Sequence, residues 1–482
     1  MTADLRAITP ELLLVTLGMV MLVVDLLTEP GQKRAVAWVG VAGLIIALFP
    51  SASLLSAAPR FVFAETYAVD PFAAFFKIVA ITSGILVLLA SMEFFTGRGV
   101  HNEGEVYTLI VFMVLGLVLM AAAADLILIF LAIEFVSLVS YVLAGALKGD
   151  RKSNEAGVKY FFYGATASAV MLYGFTFLYG VAGTTSLYRL MQHVAFFPAT
   201  FLALAVVLVL AGIGFKISLV PFHQWTPDVY EGAPTPVTAL LSVGSKAAAF
   251  AVLLRLLYVA VPAAGWATII AGLATISMTL GNLVALSQRN IKRMLAYSAI
   301  AHAGYMLIGV VAITVSATPV GSGVDAVLFY LLAYTFTNIG AFAVAIVIER
   351  ALGSDAIRDY AGLSQRAPFS ATAMAVFMLS LTGIPPTALF FGKFLLFGAA
   401  INSGLLWLAI VGIVNSVISL YYYVGVVRAM WQMAPPEGAP AIPETSLSRT
   451  VLAVSVAATV LIGLFPQPFI RLVNAASIFG RF

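Results

Sequence analysis

The chain has 482 residues, of which 62% are hydrophobic and only 10% are charged, and its mean hydropathy is +1.06. A soluble globular protein is about half apolar and about a quarter charged, so this composition indicates a protein that lies almost entirely in lipid. The net charge of +4 is small and predicts no nucleic-acid partner, and the absence of cysteine excludes disulfides, thiol catalysis and thiolate-ligated iron–sulfur clusters from this chain.

Long apolar runs predict an all-α polytopic membrane protein with about fourteen spans, each close to the roughly 20 residues that a crossing helix needs. Unbroken runs favour helices over the alternating pattern of a β-barrel. The connections are short, so residues 1–482 are predicted to form a single membrane domain. The spans are expected near residues 8–28, 36–55, 71–95, 106–122, 125–147, 157–182, 198–222, 233–261, 265–288, 292–315, 324–349, 368–400, 403–430 and 448–470.

Basic residues are distributed unevenly between alternate loops, and cytoplasmic loops of membrane proteins carry an excess of lysine and arginine. One set of loops contains only Arg6, Arg60, Arg189, Arg471 and Arg481. The other set contains Lys33, Arg34, Arg98, Lys148, Arg151, Lys152, Lys159, Arg289, Lys292, Arg293, Arg350, Arg358, Arg366, Arg428 and Arg449. We therefore expect the second set to be cytoplasmic and both termini to lie on the outer, periplasmic side.

Two of the predicted spans are interrupted by proline. The twelfth run contains Pro385 and Pro386, and as one straight helix it would be roughly 50 Å long against a hydrocarbon core of ~30 Å. The seventh run contains Pro221. Interrupted segments at matching places in two halves are typical of inverted-repeat transporters, so we predict discontinuous helices 7 and 12; the alternative is two ordinary proline kinks.

The spacing of the two interrupted spans predicts two inverted five-helix repeats, spans 4–8 and spans 9–13. The corresponding segments are residues 1–100 for helices 1–3, 105–262 for the first repeat, 265–430 for the second repeat and 448–482 for helix 14.

Glu134 lies near the centre of the fifth span, and Ser137 and Tyr141 follow it at i+3 and i+7 on the same helix face. Lys216 is the candidate partner of Glu134 within the same predicted repeat. A nearby carboxylate favours a charged lysine and desolvation disfavours it, so opening and closing this pair would switch Lys216 between holding and releasing a proton. The alternative is a permanent structural ion pair.

Three further ionisable residues, Lys246, His302 and Lys393, are predicted to lie deep within spans, where such groups mark ion or proton pathways. A neutral histidine can pass a proton between its two nitrogens; the alternative for His302 is a hydrogen-bonded core residue. Tyr334 and Asn338 offer polar lining in the eleventh span. His223 does so in the turn that follows Lys216.

Lys77 and Arg255 also fall inside predicted spans but near their outer ends, and we expect both to extend their charges to the membrane surface. Competing chemistries are poorly represented, because the four histidines form no paired haem or metal set and no phosphate loop, zinc motif or nucleophile elbow is present. The remaining charges, from Glu134 to Lys393, predict a protein that moves protons or cations through the membrane.

The chain resembles the antiporter-like membrane subunits of respiratory complex I and their relatives in Mrp-type Na⁺/H⁺ antiporters. The resemblance covers spans 4–13 and is carried by KISLVPFHQWTPDVYEGAPTPVTALL, RNIKRMLAYSAIAHAGYMLIG and LTGIPPTALFFGKFLLF. L-type members of the family carry a histidine and a lysine in span 11, where this chain has Tyr334 and Asn338. They also have a long lateral helix after span 14. Both departures favour another branch of the family.

This resemblance implies a fourteen-helix fold with two inverted repeats and proton translocation driven by quinone reduction elsewhere in a complex. Family roles fall on Glu134 and Lys216 as the coupled pair, on Lys246 as the central relay, and on Lys393 as the terminal lysine of the second half. The resemblance also implies a bacterial inner-membrane location and other membrane subunits of complex I as partners. NAD, FMN, iron–sulfur clusters and quinone would be bound by partner subunits, with no cofactor, metal or redox centre in this chain. The alternative is an Mrp-type Na⁺/H⁺ antiporter subunit.

Overall fold

The computed structural model describes residues 2–95, 102–193, 198–257, 266–315 and 321–477. Apart from a short antiparallel hairpin, the regular structure in these ranges is helical. The hairpin consists of β1 (Arg60–Val62) and β2 (Tyr67–Val69). The helices are α1 (Thr2–Ala7), α2 (Thr9–Leu27), α3 (Arg34–Ser53), α4 (Pro71–Phe95), α5 (Glu103–Ala122), α6 (Leu126–Ala144), α7 (Arg151–Ala182), α8 (Leu187–His193), α9 (Ala199–Ile217), α10 (Trp225–Gly232), α11 (Thr235–Leu240), α12 (Lys246–Arg255), α13 (Trp266–Ala285), α14 (Ile291–Val315), α15 (Gly321–Leu352), α16 (Leu363–Arg366), α17 (Pro368–Thr382), α18 (Ala388–Asn402), α19 (Leu406–Gln432), α20 (Ser446–Leu464) and α21 (Pro466–Ala476).

In the described ranges, thirteen segments are long and apolar enough to cross a membrane. The shorter apolar helices α17 and α18 follow one another where the twelfth span was predicted. The predicted all-α polytopic membrane fold is therefore confirmed. The division into inverted repeats and its residue boundaries stay predictions.

The helix ends reflect local capping. Helix α7 begins at Arg151, several residues before the predicted span, because the Asp150 side chain accepts a hydrogen bond of 2.8 Å from the Lys152 backbone nitrogen. Helix α6 begins after Asp125, whose side chain accepts from two backbone nitrogens of its first turn. The predicted eighth span extended to residue 261, and residues 258–265 lie outside the described part of the chain.

The predicted interruptions of helices 7 and 12 are both present. Ser218 follows the last residue of α9 and Gly383 follows the last residue of α17, and both have left-handed backbone conformations, with φ of 68° and 90°. Their backbone nitrogens bond the last carbonyls of the helices that they terminate. A third irregularity was not predicted: a π-helical turn, Leu241–Ser245, separates α11 from α12 directly before Lys246.

Helix α4 connects the two sides of the molecule. It starts after the hairpin, and near its other end Glu93 pairs with Arg350 at the end of α15. We call the side with Lys152, Arg293 and Arg350 the basic face, and the opposite side, with β1 and β2, the hairpin face. The innermost spans, such as α11–α12 and α14, are almost wholly buried, whereas α7 and α19 expose large apolar side chains of the kind that face lipid.

The expectation that Lys77 and Arg255 extend to the membrane surface is wrong. Both side chains are 1% exposed. Lys77 Nζ lies 2.9 Å from Glu11 Oε1, and Arg255 forms a double contact of 2.8 and 3.1 Å with the carboxylate of Asp70. Each cation is buried because a carboxylate from a distant part of the sequence compensates its charge, which the analysis of single spans does not reveal.

Candidate functional site

Lys216 lies at the end of α9 in a cage of aromatic rings. Its ammonium nitrogen is 5.5 Å from the centre of the Tyr160 ring, 6.0 Å from that of Tyr141 and 5.9 Å from that of Phe215. Trp225 stacks on Tyr160 at 4.3 Å and donates to the Phe215 carbonyl oxygen, so α10 holds the cage in place. The side chain is buried, and its nitrogen has no hydrogen-bond partner among the described residues. The ring faces attract the ammonium group electrostatically.

Glu134 is half-buried on α6 and accepts a hydrogen bond from Ser168 on α7 instead of contacting Lys216 directly. The cage residue Tyr141 lies seven positions further along α6, which corresponds to about 10 Å along the helix axis. Glu134 therefore lies about two helical turns along α6 from a residue of the Lys216 cage. The permanent ion pair considered from the sequence is not formed in this structure.

Lys246 is fully buried at the start of α12, directly after the π-helical turn. Its nitrogen donates a hydrogen bond of 2.7 Å to the carbonyl oxygen of Ala299 on α14. A π-helical turn widens the helix locally and is frequent at functional sites. Here it precedes the lysine at the point where its helix meets α14.

His302 lies on α14 and is bonded at both ring nitrogens. Nδ1 is 2.5 Å from the hydroxyl of Tyr330, and Nε2 is 3.0 Å from the hydroxyl of Tyr423. The Tyr423 hydroxyl also bonds Ser298, and the ring of Tyr334 lies 5.1 Å from the imidazole. These contacts satisfy both ring nitrogens, as the alternative of a hydrogen-bonded core histidine predicts. The relay role of His302 stays a prediction.

Lys393 lies on α18, beyond the break in helix 12, and reaches back to the end of α17. Its nitrogen donates hydrogen bonds of 3.1 Å to the Leu381 carbonyl oxygen and 2.7 Å to that of Thr382. It also lies 4.7 Å from the centre of the Tyr305 ring. The last carbonyls of a helix lack intrahelical partners and carry partial negative charge, so they stabilise a buried cation.

One face of α14 connects Lys246, His302 and Lys393. Ala299 bonds Lys246, His302 follows three residues later, and Tyr305, three residues further, lies against Lys393. The structure thus forms one cluster from these three residues and a separate one around Glu134 and Lys216.

Some of the predicted lining residues contact the candidate proton-relay residues and others do not. Tyr141 contributes to the Lys216 cage and Tyr334 lies against His302, whereas Ser137 donates to the Ile133 carbonyl oxygen of its own helix. Asn338 donates a hydrogen bond of 2.7 Å to Ser242, and Ser242 is the residue that lies close to Lys246 in sequence. His223 lies in the turn between α9 and α10, where burial lowers its pKa, and no contact joins it to the other candidate residues among the described ones.

Several tyrosines and a serine were missed. Tyr160, Tyr330 and Tyr423 contact the candidate lysine and histidine, and Ser168 bonds Glu134. Tyr330 precedes the predicted lining residue Tyr334 by one helical turn, so the same-face rule was sufficient to find it. Tyr423 comes from a helix far away in sequence, and no local pattern indicates that contact.

Charged residues at the basic face hold α10 in place. Asp228 contacts Lys159 and Arg293, each at 2.7 Å, while Glu231 contacts Lys152 at 2.9 Å and Arg293 at 3.0 Å. Burial raises the pKa of both carboxyl groups, but these hydrogen bonds outweigh it and hold each pKa below its ordinary value. In the described part of the chain, no three His, Asp or Glu side chains are grouped so that they could bind a metal ion.

Comparison with known proteins agrees with this architecture. A protein-family model described as "NADH:quinone oxidoreductase/Mrp antiporter, TM" matches residues 123–419. NADH-quinone oxidoreductase subunit N of Trichlorobacter lovleyi is 43% identical over 481 residues, which cover 98% of this chain and 97% of that protein. A chain of respiratory complex I from Thermus thermophilus with bound Aureothin is 35% identical with a TM-score of 0.81, over 97% of this chain and 100% of that one.

A chain of the Mrp complex from a Dietzia species shares the fold, with a TM-score of 0.85 over 99% of this chain and 97% of that one, but only 22% identity. The similarity to subunit N sequences is closer and extends over nearly the full length. The chain therefore belongs to the NADH:quinone oxidoreductase/Mrp antiporter membrane family and, within it, to the group of NADH-quinone oxidoreductase subunit N proteins.

Proposed function

We propose that this chain is a proton-translocating membrane subunit of NADH-quinone oxidoreductase. The protons would pass through Glu134, Lys216, Lys246, His302 and Lys393. The observation that carries this proposal is the face of α14 that connects Lys246, His302 and Lys393 through a carbonyl, an imidazole and a tyrosine ring. Buried ionisable groups are costly in a membrane, and such a row of them is the usual mark of a proton path.

The chemistry of the two clusters suits proton transfer. Lys216 has only ring faces around its nitrogen, so it can lose a proton without breaking a hydrogen bond to a described side chain. Lys246 and Lys393 rest on carbonyl oxygens, which stabilise the ammonium form and cannot themselves take up the proton. His302 and its two tyrosine hydroxyls can both donate and accept, and therefore provide the exchange step between the lysines.

Coupling would come from other subunits. The chain contains no cysteine, and relatives named subunit N belong to an oxidoreductase. We therefore place NAD, FMN, the iron–sulfur clusters and quinone on partner subunits and no redox cofactor on this chain. The exposed apolar faces of outer helices such as α7 and α19 suit contacts with lipid and with other membrane subunits of complex I.

We place the protein in the bacterial inner membrane with the basic face in the cytoplasm and both termini in the periplasm. The support is the excess of lysine and arginine in the loops of that face. We also retain the two inverted repeats, residues 105–262 and 265–430, as part of the proposal. Both repeats would contain an interrupted helix that ends in a left-handed residue.

Deletion of the gene tests this function against the Mrp-type alternative. We expect the deletion strain to lose most NADH-driven, quinone-dependent proton pumping in inverted membrane vesicles and to keep its normal salt tolerance. The physical reason is that lysines repel Na⁺, whereas a sodium site needs several oxygen ligands. Sodium sensitivity together with normal NADH–quinone activity would instead establish the antiporter function.

A further inference from the structure

Polar side chains line the contact between α15 and the span that consists of α11, the π-helical turn and α12. On α15, Tyr334, Asn338 and Glu349 recur at helical spacing and share one face. On the opposite helix, Thr235 begins α11 and Ser242 lies in the π-helical turn. We call these five residues the polar seam. All of them except Glu349 are at most 1% exposed.

Hydrogen bonds cross the seam at two levels, and some of its polar atoms remain unpaired. Thr235 donates to the carboxylate of Glu349, and the Asn338 amide donates to the Ser242 hydroxyl at 2.7 Å. The Asn338 Oδ1 atom and the Tyr334 hydroxyl are buried without a hydrogen-bond partner among the described residues, as is the hydroxyl of Ser245. An unpaired buried polar group costs free energy, and bound water can supply the missing partner where polar groups line a gap.

One end of the seam lies at a cleft, and the other end lies close to Lys246 in sequence. Glu349 lines a cleft of about 830 Å³ at the basic face, and its side chain is 13% exposed. At the other end, Ser242 lies one helical turn before Lys246, and Ser245 directly precedes it. The remaining charged residues that line the cleft are Lys148, Asp150, Lys152, Glu231, Lys292, Arg350 and Asp355.

We propose that the polar seam carries protons between the cleft at the basic face and Lys246, and that Glu349 is the group that exchanges them with the cleft. The proposal rests on the proposed proton-translocating function and identifies the route by which one of its lysines communicates with one side of the membrane.

Glu349 lies within a group of charged side chains that includes Lys292 and Asp355. Lys292 is 4% exposed, and its nitrogen lies 3.9 Å from Glu349 and 3.0 Å from Asp355. Two carboxyl groups therefore share one ammonium. Burial raises the pKa of Asp355, the Lys292 charge lowers it, and the Glu349 charge raises it further, with the net effect that this pKa lies above its ordinary value. Arg350, the next residue, forms a salt bridge with Glu93.

The transfer steps balance without any bond change other than proton exchange. A proton from water in the cleft binds the Glu349 carboxylate. Thr235 and then Ser242 each accept one proton and release another, water bridges the roughly 10 Å between these two hydroxyls, and the neutral amine of Lys246 accepts the last proton. Glu349 returns to a carboxylate, and Lys246 becomes an ammonium group that donates to Ala299.

The test compares variants of the chain in the whole complex, purified and reconstituted in liposomes, with NADH-driven acidification measured against NADH oxidation. Glu349→Gln and Asn338→Leu should each slow the proton-transfer step by about 10²-fold or more. The protons moved per NADH should then fall by the share that depends on this chain. Glu349→Asp should restore much of the pumping because it keeps the titratable group. Glu437→Gln is the matched control, since Glu437 is an exposed carboxylate of the loop after α19.

Assembly of each variant is measured by the amount of this chain relative to its partner subunits. Should Glu349→Gln fail to assemble, Thr235→Val, which removes only a hydroxyl, takes its place with the same expected result. Wild-type pumping by both Glu349→Gln and Asn338→Leu would contradict the proposed proton route through the polar seam. If Lys246→Ala abolishes pumping in that case, only the route is wrong. If Lys246→Ala also pumps normally, the proposed function itself is wrong.

Discussion

Lys216 lies against three aromatic rings, whereas Lys246 and Lys393 donate hydrogen bonds to backbone carbonyls. These environments differ in what they do to a neutral amine. A ring attracts the ammonium only electrostatically, whereas a carbonyl accepts a hydrogen bond that is stronger when the donor is charged. Among the described residues, Lys216 therefore lacks the carbonyl contacts that stabilise the ammonium forms of Lys246 and Lys393, and the roles of the three lysines in proton transfer stay predictions.

The separation of Glu134 from Lys216 leads to a test of their coupling. Glu134→Ala and Lys216→Ala should each slow proton translocation by about 10²-fold at that step while leaving assembly intact. If Glu134 acts mainly through the charge state of Lys216, the double variant should be no slower than the slower single variant, since residues that act as a unit are non-additive.

The comparison uses the pumping rates of the two single variants and the double variant in liposomes, with Glu437→Ala and Arg358→Ala, at two exposed residues, as the matched controls. Multiplicative losses from the two single changes would point to independent roles. Wild-type pumping from either single variant would make that residue structural.

At the scale of elements, the ends of the interrupted helices position two of the buried lysines. The end of α17 supplies the carbonyls that hold Lys393, and the end of α9 places Lys216 inside its cage. In both cases a left-handed residue ends the helix, but the two differ in cost. Gly383 adopts this conformation freely, whereas Ser218, at φ 68°, has a side chain and pays a steric penalty of about 1–2 kcal/mol.

This difference predicts opposite effects of two substitutions. Gly383→Ala should lower thermal stability and coupled turnover, because a Cβ atom there would lie 2.9 Å from Cδ and 3.5 Å from Nζ of Lys393, in addition to the cost of φ 90°. Ser218→Gly removes the penalty and should be neutral or stabilising by about 1 kcal/mol. Thermal unfolding followed by near-ultraviolet circular dichroism measures both. Normal turnover of Gly383→Ala would show that the exact position of Lys393 is unimportant.

Helix α10 gives a prediction about pH. Because the pKa values of Asp228 and Glu231 are held below their ordinary values, their contribution to stability is complete above pH ~4.5 and is lost as the pH falls through the lowered folded-state values. Trp225 lies in α10 and stacks on Tyr160, so its fluorescence reports release of the helix.

An acid titration of the detergent-solubilised protein should show this release below pH ~4. The double variant Asp228→Asn, Glu231→Gln should lack the transition and be less stable at pH 7. A transition of unchanged position in that variant would show that other groups cause it.

At the scale of the whole molecule, the apolar runs and the distribution of charge in the sequence were sufficient to predict most of the fold. The apolar runs located the spans, and the prolines located both interruptions, because length in lipid and the missing proline N–H are local properties. The same local reasoning failed for Lys77 and Arg255, whose partners Glu11 and Asp70 come from other elements. The π-helical turn before Lys246 has no sequence signal that we identified.

The candidate site was predictable as a set of residues but not as an arrangement. A charge inside an apolar run is visible in the sequence, and this identified Glu134, Lys216, Lys246 and Lys393. Helix packing determines the grouping of residues around α14 and the tyrosine partners of His302. It also determines that Glu134 contacts Ser168 and not Lys216. The proposed roles of these residues therefore stay predictions until they are measured.

The most direct measurement is the number of protons moved per NADH oxidised by the reconstituted complex that carries Lys246→Ala. Arg358→Ala, whose side chain is 89% exposed in the native protein, is the control. We predict that Lys246→Ala assembles and keeps electron transfer from NADH to an artificial acceptor. We also predict that it loses the proton pumping that depends on this chain, whereas Arg358→Ala behaves as wild type. An unchanged proton-to-NADH ratio in Lys246→Ala would contradict a proton path through the buried residues of this protein.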